Sequence, residues 1–285
     1  MAGLFQVLYG KADGTFGNAE VLKGTDGEPL IIPADDKDQL TEKICTRPFA
    51  ADWDGDGHLD LVVGNFSGTF YWFKGEGKGK FRPKPEQIKS GGKPLKIGGV
   101  HSDPFIVDWD GDGDLDLITG SSDGGVYWAE NKAGKGKMPD LGPIRALIDP
   151  PPKWGAPSEP MKPLRESDLT RPTYATRVWV DDINGDGKLD LLVGDSVTLV
   201  SPAKGLTDEE MTKKYAEWQE EFKKAQAAIS AIPVKNAKDG KDDKDTKEKE
   251  EQRKKAYEEF NKVYQKRSEF MTEEMTGFVW LYLRK

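Results

Sequence analysis

The chain has 285 residues, 50 acidic side chains against 42 lysines and arginines, a formal net charge of −8 and 36% apolar residues. Its length allows one large domain or two small ones, and its 32 glycines and 18 prolines disfavour a helical bundle and favour short strands joined by turns. No long apolar run is present, so no transmembrane helix is predicted, and the acidic balance makes nucleic acid an unfavourable partner.

Two sequence motifs recur along the chain, which we call the acidic phrase and the aromatic phrase. An acidic phrase occurs three times, as AADWDGDGHLDLVVG, IVDWDGDGDLDLITG and WVDDINGDGKLDLLVG. An aromatic phrase occurs four times, as GLFQVLYGKADGTF, GTFYWFKGEGKGKF, GGVYWAENKAGKGK and GFVWLYLRK. In the first two complete units the aromatic phrase follows the acidic phrase after a short turn. Each unit therefore predicts a strand, an acidic loop, a strand, a turn and an aromatic strand in antiparallel order, which is typical of a propeller blade.

The third unit is interrupted before its aromatic strand. Thr207 and Glu210 form a capping-box pattern that predicts a helix start. Apolar residues then recur at steps of three and four: Met211, Tyr215, Trp218, Phe222, Ala225 and Ile229, and later Tyr257, Phe260, Tyr264 and Met271. We predict an antiparallel helical hairpin of coiled-coil type over 206–276, between the propeller blades of 1–205 and a final propeller strand at 277–285. The polar stretch NAKDGKDDKDTKEKE is predicted to be a mobile loop between the helices.

The three acidic phrases place oxygen side chains at the first, third, fifth and ninth positions of a glycine-rich loop. Such donors converge on one point, and an all-oxygen, multiply anionic set suits Ca²⁺ better than Mg²⁺. The seventh position varies freely, which fits a backbone carbonyl ligand. We predict three Ca²⁺ sites, formed by Asp52, Asp54, Asp56, His58 and Asp60, by Asp108, Asp110, Asp112, Asp114 and Asp116, and by Asp182, Asn184, Asp186, Lys188 and Asp190. An EF-hand is excluded, because its twelfth position needs glutamate and here holds Val63, Thr119 and Val193.

The phrases DWDGDGHLDL and DWDGDGDLDL, each followed by an aromatic strand, resemble the FG-GAP/VCBS repeat over residues 3–200 and 277–285. That family builds calcium-stiffened β-propellers in integrin alpha subunits, in secreted bacterial proteins and in fungal lectins. The resemblance implies a mainly β fold, a β-propeller or partial propeller with the helical hairpin inserted, and calcium in all three loops. Loop three departs by using Asn184, so we expect it to bind calcium more weakly. The hairpin before GFVWLYLRK also gives a weaker resemblance to repeat proteins of planctomycete-type bacteria.

Only three complete units are present, whereas closed propellers use at least four blades, and the chain opens in mid-blade. Two explanations stay open: the chain is the C-terminal part of a longer protein, or its N-terminal strands share a blade with GFVWLYLRK and close a small ring. The tryptophans of the repeat are expected to pack between blades; they are Trp53, Trp72, Trp109, Trp128, Trp179 and Trp280.

We expect the calcium ions to be structural, because each would relieve repulsion among several carboxylates. The sequence has no nucleotide loop, nucleophile elbow or zinc triad, so a non-catalytic module is predicted. Its expected role is binding, adhesion or scaffolding toward a protein or glycan ligand outside the cytoplasm, in a secreted, periplasmic or cell-surface setting, although no signal peptide is visible.

Three alternatives remain for the ligand and the partner. One is a lectin-like glycan module, in which Trp154 and Tyr174 stack on sugar rings. Another is a carbohydrate-active enzyme with its site on the propeller face. The third is self-association through the helical hairpin, with its aromatic seams as the contact.

Overall fold

The structure, a computed structural model, describes residues 3–33, 41–152, 163–232 and 244–285, and of 244–248 it describes the backbone alone. Most of the chain is short antiparallel strands. The first eight strands are β1 (Gln6–Val7), β2 (Glu20–Val21), β3 (Arg47–Ala51), β4 (Asp60–Gly64), β5 (Phe70–Phe73), β6 (Glu86–Gln87), β7 (Lys89–Ser90) and β8 (Lys93–Pro94). The remaining elements are β9 (Asp103–Val107), β10 (Asp116–Gly120), β11 (Val126–Ala129), β12 (Arg145–Ile148), β13 (Tyr174–Asp181), β14 (Asp190–Pro202), α1 (Asp208–Ser230), α2 (Lys244–Lys266), β15 (Met271–Thr276) and β16 (Val279–Tyr282).

The repeat units fold as three blades. Blade A is the sheet β3-β4-β5-β6 and blade B is the sheet β9-β10-β11-β12. Blade C contains β13, β14 and β16, although α1, α2 and β15 separate β14 from β16 in the chain. The mainly β fold of repeated antiparallel blades is confirmed.

The last strand of the chain takes the place of the aromatic strand in blade C. In β16, Tyr282 pairs with Leu191 and Val279 with Gly194. Because β4 and β5 pair in the same register, from Leu61 opposite Phe73 to Gly64 opposite Phe70, GFVWLYLRK completes the third unit as predicted. Within the described residues it does not share a blade with the N-terminal strands, because β1 pairs with β2.

Alternating side chains fill the space between consecutive blades. One buried cluster joins blades A and B; its members include Val62, Phe70, Trp72, Leu117, Tyr127 and Ala129. A second joins blades B and C; its members include Ile118, Val126, Trp128, Val180, Leu191 and Val193. A third packs the N-terminal segment on blade A; it contains Phe5, Leu30, Ile32, Leu61, Val63, Tyr71, Phe73 and Phe81. Aromatic and branched residues at strand positions thus form a core that runs from blade to blade.

The tryptophans of the repeat follow this pattern with one exception. Trp53, Trp72, Trp109 and Trp128 are buried and Trp280 is half-buried. The ring of Trp179 meets Phe105 of blade B edge-on at 5.5 Å, but Trp179 is 55% exposed, so it packs against one blade and not between two as expected. It lies on the side of blade C that no further blade covers in the described chain.

Contacts divide the chain into two compact units. The first comprises 1–153, 170–197 and 277–285 and holds the three blades. The second comprises 154–169 and 198–276 and holds the end of β14, both helices and β15. In the second unit β15 pairs with β14, and the Thr272 hydroxyl donates a hydrogen bond to the carbonyl of Ser201.

The predicted helix start is confirmed. Thr207 caps α1: its hydroxyl accepts from the amide of Glu210, while the Glu210 carboxylate accepts from the amide of Thr207 at 2.8 Å. The two helices pack on each other. The Trp218 indole of α1 donates a hydrogen bond to the carbonyl of Val263 on α2 at 2.7 Å, and Lys266 of α2 forms an ion pair with Glu221 of α1. Sequence spacing therefore located the hairpin and its first seam correctly.

The second seam is confirmed in part: the rings of Phe260 and Tyr264 contact Phe222 of α1, with centroids 5.1 and 6.3 Å apart, and Met271 is buried. On α2 the buried residue is Val263, whereas Tyr257 and Tyr264 are exposed. The Trp218 indole reaches the backbone at Val263, and the Tyr264 hydroxyl instead accepts from Arg267. The predicted mobile loop is helical from Lys244 onward, and its preceding residues lie outside the described part of the chain. Among the described residues, no helix combines the length and apolar character needed to span a membrane.

Candidate metal centre

Each acidic loop connects the first two strands of a blade, and its ninth residue is the first residue of the second strand. Glycines at the fourth and sixth positions turn the chain sharply; in loop one Gly55 has a φ of 71° and Gly57 a φ of 87°. These angles lie in the left-handed region that glycine reaches at little cost. The same two positions have positive φ in loops two and three, so all three loops have the same backbone path.

Backbone amides hold the carboxylates at the first and fifth positions. Asp52 Oδ2 accepts from the amide of Gly57 at 3.0 Å, and Asp56 Oδ1 accepts from the amide of His58 at 2.9 Å. The same bonds recur in the other loops, with Asp108 and Asp112 in loop two and Asp182 and Asp186 in loop three. The second oxygen of Asp52 is buried without a hydrogen-bond partner among the described residues. In Asp56, Asp108 and Asp182 the second oxygen accepts a further hydrogen bond, from Lys74, Gly111 and Gly185 respectively.

The ninth aspartate is fully buried and joins the loop to the blade. Asp60 accepts from the amide of Trp53 at 3.2 Å and from the amide of Gly75, after the aromatic strand, at 2.7 Å. Asp116 and Asp190 make the equivalent pairs of bonds in blades B and C. The ninth aspartate thus connects the acidic loop to the residue after the aromatic strand of the same blade, a role that its spacing in the sequence does not reveal.

Carboxylates at the first, third and fifth positions come together in two loops. These groups are Asp52, Asp54 and Asp56 in loop one, and Asp108, Asp110 and Asp112 in loop two, each with ligand oxygens within 4.8 Å of one another. In loop one, Asp52 Oδ1 and Asp54 Oδ1 are buried and have no hydrogen-bond partner within the described residues. Buried, unpaired carboxylate oxygens are expected only where a cation or water completes them, so these residues fit a metal.

Loop three differs at its third position. The Asn184 side chain accepts from the amide of Asp186 at 2.9 Å and donates to Asp186 Oδ2 at 3.2 Å. An amide supplies one oxygen and no charge, so this loop offers a weaker cage for a cation than the all-aspartate loops.

Side chains at the seventh position do not join the carboxylate groups in the described structure. Asp114 instead turns to the hairpin turn of its blade, where its Oδ2 accepts from the amide of Gly134 at 2.5 Å. The varied residues His58 and Lys188 follow the same backbone turn. Their side chains are therefore not required for a cage that uses the backbone carbonyl.

Lys74 is a member of the loop-one site that the sequence motif does not include. Its ammonium contacts Asp54 and lies 2.7 Å from Asp56 Oδ2. It follows the aromatic strand of blade A, where blade B has Glu130. The pKa of Asp56 is lowered, chiefly by its hydrogen bond to Lys74. The pKa of Lys74 is raised: burial opposes its charge, but the bonds to both carboxylates outweigh that effect.

Loop two has the opposite electrostatic character. The pKa of Asp110 is raised, first by burial and then by the charges of Asp112, Glu130 and Asp108. Burial also raises the pKa of Asp116 to about 6, despite its two amide hydrogen bonds. Lys132 and Arg145 lie beside Glu130, at 3.6 and 3.7 Å. Among the described residues no lysine or arginine pairs with the loop-two aspartates themselves, which favours a divalent ion there.

The candidates for glycan stacking are only partly described. Trp154 lies outside the described residues, so its role stays a prediction. Tyr174, at the start of β13, is exposed.

The comparisons with known proteins agree with this repeat structure. The FG-GAP-like repeat family matches the chain twice, over residues 52–119 and 108–193. The first match begins at the first aspartate of loop one and the second at the first aspartate of loop two. No curated protein is similar enough to the chain to count as a relative.

Proposed function

Residues 52–193 of this chain belong to the FG-GAP-like repeat family, and on that premise we propose that the protein is a calcium-stabilised β-propeller module with a non-catalytic binding, adhesion or scaffold role. Repeats of this family supply a rigid β framework that presents surfaces to other molecules. We further propose that the ion is calcium, that each of the three loops binds one ion and that the protein acts outside the cytoplasm.

The pair of unpartnered carboxylate oxygens in loop one is the observation that carries the calcium proposal. Asp52 and Asp54 each place a buried oxygen in the loop with no hydrogen-bond donor, beside Asp56. A buried carboxylate oxygen without a donor is costly in a folded protein, so a cation at this point is favourable, in competition with the Lys74 ammonium that contacts Asp54 and Asp56. The same backbone cradle in loops two and three extends the argument to three sites.

Calcium would be held by the first, third and fifth side chains, the seventh carbonyl and the ninth aspartate of each loop. The bound ion supplies a divalent charge that offsets the repulsion among these carboxylates. The chain's own contribution is the preformed turn, in which glycines and amide hydrogen bonds fix the oxygens before binding. Extracellular millimolar calcium fills even weak sites of about 10⁻⁴ to 10⁻³ M, which favours a location outside the cytoplasm.

Calorimetry tests this proposal directly. Titration of the calcium-free protein with Ca²⁺ is expected to fit three sites, with Mg²⁺ binding more weakly. Saturating calcium is expected to raise the melting temperature by about 5–10 °C for each occupied site, since a ligand at 100 times its Kd adds about 2.7 kcal/mol per site. An exposed carboxylate outside the loops provides the control, so Asp140→Asn should leave both results unchanged. Absence of Ca²⁺ binding, or equal melting temperatures with and without EGTA, would refute the calcium proposal.

A further inference from the structure

A three-residue segment, which we call the entry segment, recurs near the start of the first strand of every blade. Its copies are Cys45-Thr46-Arg47, His101-Ser102-Asp103 and Ala175-Thr176-Arg177. In each copy the third residue pairs with the glycine near the end of the next strand's LDL run, as Arg47 does with Gly64. The first residue of each copy has a positive φ, of 53°, 60° and 51° respectively. Since the acidic loops follow the other ends of these strands, the entry segments lie at the opposite edge of the blades.

The middle residue of the entry segment anchors it to the preceding blade. The Ser102 hydroxyl accepts from the amide of Asn65 at 2.9 Å and donates to the carbonyl of Thr69 at 2.8 Å, both in blade A. Thr176 makes the same pair of bonds with residues of blade B. Ser102 and Thr176 are fully buried. The residues on either side of them are therefore held in fixed positions at the junctions between blades.

The third residues of the three copies form a charge cluster. Oδ2 of Asp103 lies 3.5 Å from Nη1 of Arg47 and 3.1 Å from Nη1 of Arg177. Two guanidinium groups thus share a single carboxylate oxygen. Two positive charges meet one negative charge, so the cluster has one positive charge in excess. Because both groups contact the same oxygen, they also lie close enough together to bind one small anion.

Two nitrogen atoms in and beside this cluster have no hydrogen-bond partner. They are Nη1 of Arg47, whose contact with Asp103 is an ion pair without hydrogen-bond geometry, and Nδ1 of His101; both are buried, and neither has a partner among the described residues. Burial lowers the pKa of His101, and the charges of Arg47 and Arg177 lower it further, so its ring adds no charge at neutral pH. Buried polar atoms without partners are costly, and here they lie beside uncompensated positive charge.

Solvent reaches the cluster on the side of Arg177. Its side chain is 61% exposed, whereas the side chains of Arg47 and Asp103 are half-buried. The planar guanidinium group binds the two oxygens of a carboxylate through a pair of N–H donors. A singly charged carboxylate also matches the single excess charge, whereas a dianion such as sulfate exceeds it.

We propose that Arg47 and Arg177 bind the carboxylate group of a small acidic ligand beside Asp103. The shared contact with Asp103 holds both guanidinium groups in place before the ligand arrives, and the ligand neutralises the charge that remains. This inference rests on the proposed binding role, to which it adds the class of ligand. It does not depend on calcium, because the acidic loops lie at the other ends of the same strands.

Nitrogen-15 NMR of the full chain with calcium present tests the site. The probes are sodium acetate and sodium glucuronate, with glucose as the neutral control. Both carboxylates are expected to shift the signals of Asp103 and Arg177 to saturation, and glucose should shift neither. A lower Kd for glucuronate would identify a sugar acid as the better ligand and equal Kd values a carboxylate alone, and both results support the site. The proposal is wrong if neither carboxylate binds, or if sulfate binds more tightly than both.

Three variants separate a binding site from a purely structural ion pair. Arg177→Gln removes the exposed guanidinium and should weaken carboxylate binding at least about tenfold, through the loss of charge-assisted hydrogen bonds. Its melting temperature should match that of the wild type, because the side chain is mostly exposed. Asp103→Asn removes the competing carboxylate and should strengthen binding, which a structural ion pair does not predict. Arg82→Gln, in an exposed pair with Glu76, is the matched control and should bind as the wild type does.

The same samples distinguish this proposal from the proposed function. Unchanged carboxylate binding by Arg177→Gln, or weaker binding by a folded Asp103→Asn protein, would overturn the site. Calcium titration of each sample is the second measurement. A protein that binds calcium and no carboxylate leaves the calcium proposal standing and refutes the carboxylate site alone.

Discussion

The ammonium nitrogen of Lys74 lies 2.7 Å from Oδ2 of Asp56, inside the carboxylate group of loop one. In blade B the equivalent residue is Glu130, which pairs with Lys132 at 3.6 Å and Arg145 at 3.7 Å. Two loops with the same aspartate spacing thus differ in the sign of the charge that follows the aromatic strand. A tethered cation competes with a metal ion for the same oxygens, whereas a neighbouring anion favours the ion. Loop two is therefore expected to be the stronger calcium site.

Replacement of Lys74 by methionine is expected to strengthen calcium binding at loop one. The substitution keeps the side-chain length and removes the charge that occupies Asp54 and Asp56. Loss of a neighbouring charge at a partly exposed site is worth about 1–2 kcal/mol, so the Kd of that site should fall about tenfold. In isothermal titration calorimetry, the calcium affinities of loop one and loop two should differ in the wild type and become similar in the variant.

The matched control is Lys223→Met, which removes an exposed lysine paired with Glu220 on α1. It should leave all calcium affinities as they are. If the Lys74 variant binds calcium as the wild type does, competition by the ammonium is ruled out while the calcium proposal stands. If neither protein binds calcium, the proposed function itself fails.

Replacement of Asp116 by asparagine is expected to lower the free energy of unfolding. Its two oxygens accept from the amides of Trp109 and Asn131 at 3.1 and 2.7 Å in a fully buried position. Asparagine has a single acceptor oxygen and would turn its NH₂ group toward one of these amides. We expect a loss of about 1–3 kcal/mol in the free energy of unfolding, measured by urea denaturation of the calcium-free protein. Asp140→Asn, at an exposed position, should change it by less than about 0.5 kcal/mol; equal effects of the two would contradict this role.

The same carboxyl group predicts a pH dependence. In the calcium-free protein, burial raises the pKa of Asp116 to about 6 from an ordinary value of 3.8. The folded state therefore binds this proton more tightly than the unfolded state. Protonation of Asp116 stabilises the folded state fully below pH 3.8, and this stabilisation is lost as the pH rises through about 6. The difference in unfolding free energy between the wild type and Asp116→Asn should widen as the pH falls from about 7 to about 4. A constant difference over this range would count against the raised pKa.

The parts of the fold that were predictable are those set by local sequence. Glycines at fixed loop positions and alternating apolar residues determine the turns and strands, so the blades and the first helix start follow from spacing. Lys74 escaped detection because it lies 18 residues beyond Asp56 and reaches it only through strand pairing. Trp179 was misplaced because periodicity shows that a face is apolar and does not show whether anything covers it. On α2 the predicted stripe includes Phe260 and Tyr264, whose rings contact Phe222, but it omits Val263, which is buried.

The Trp218 indole is expected to be the main anchor of the helical hairpin. It is buried, donates to the carbonyl of Val263 at 2.7 Å and stacks on Phe222 with ring centroids 4.9 Å apart. Trp218→Phe removes the donor but keeps an aromatic ring, so the buried carbonyl loses its partner at a cost of about 1–3 kcal/mol. The exposed Tyr257→Phe, which keeps its ring, should cost less than about 0.5 kcal/mol. Urea unfolding followed by circular dichroism at the helical band measures both, and a Trp218→Phe protein as stable as the Tyr257→Phe control would show that the hairpin is held together by other contacts.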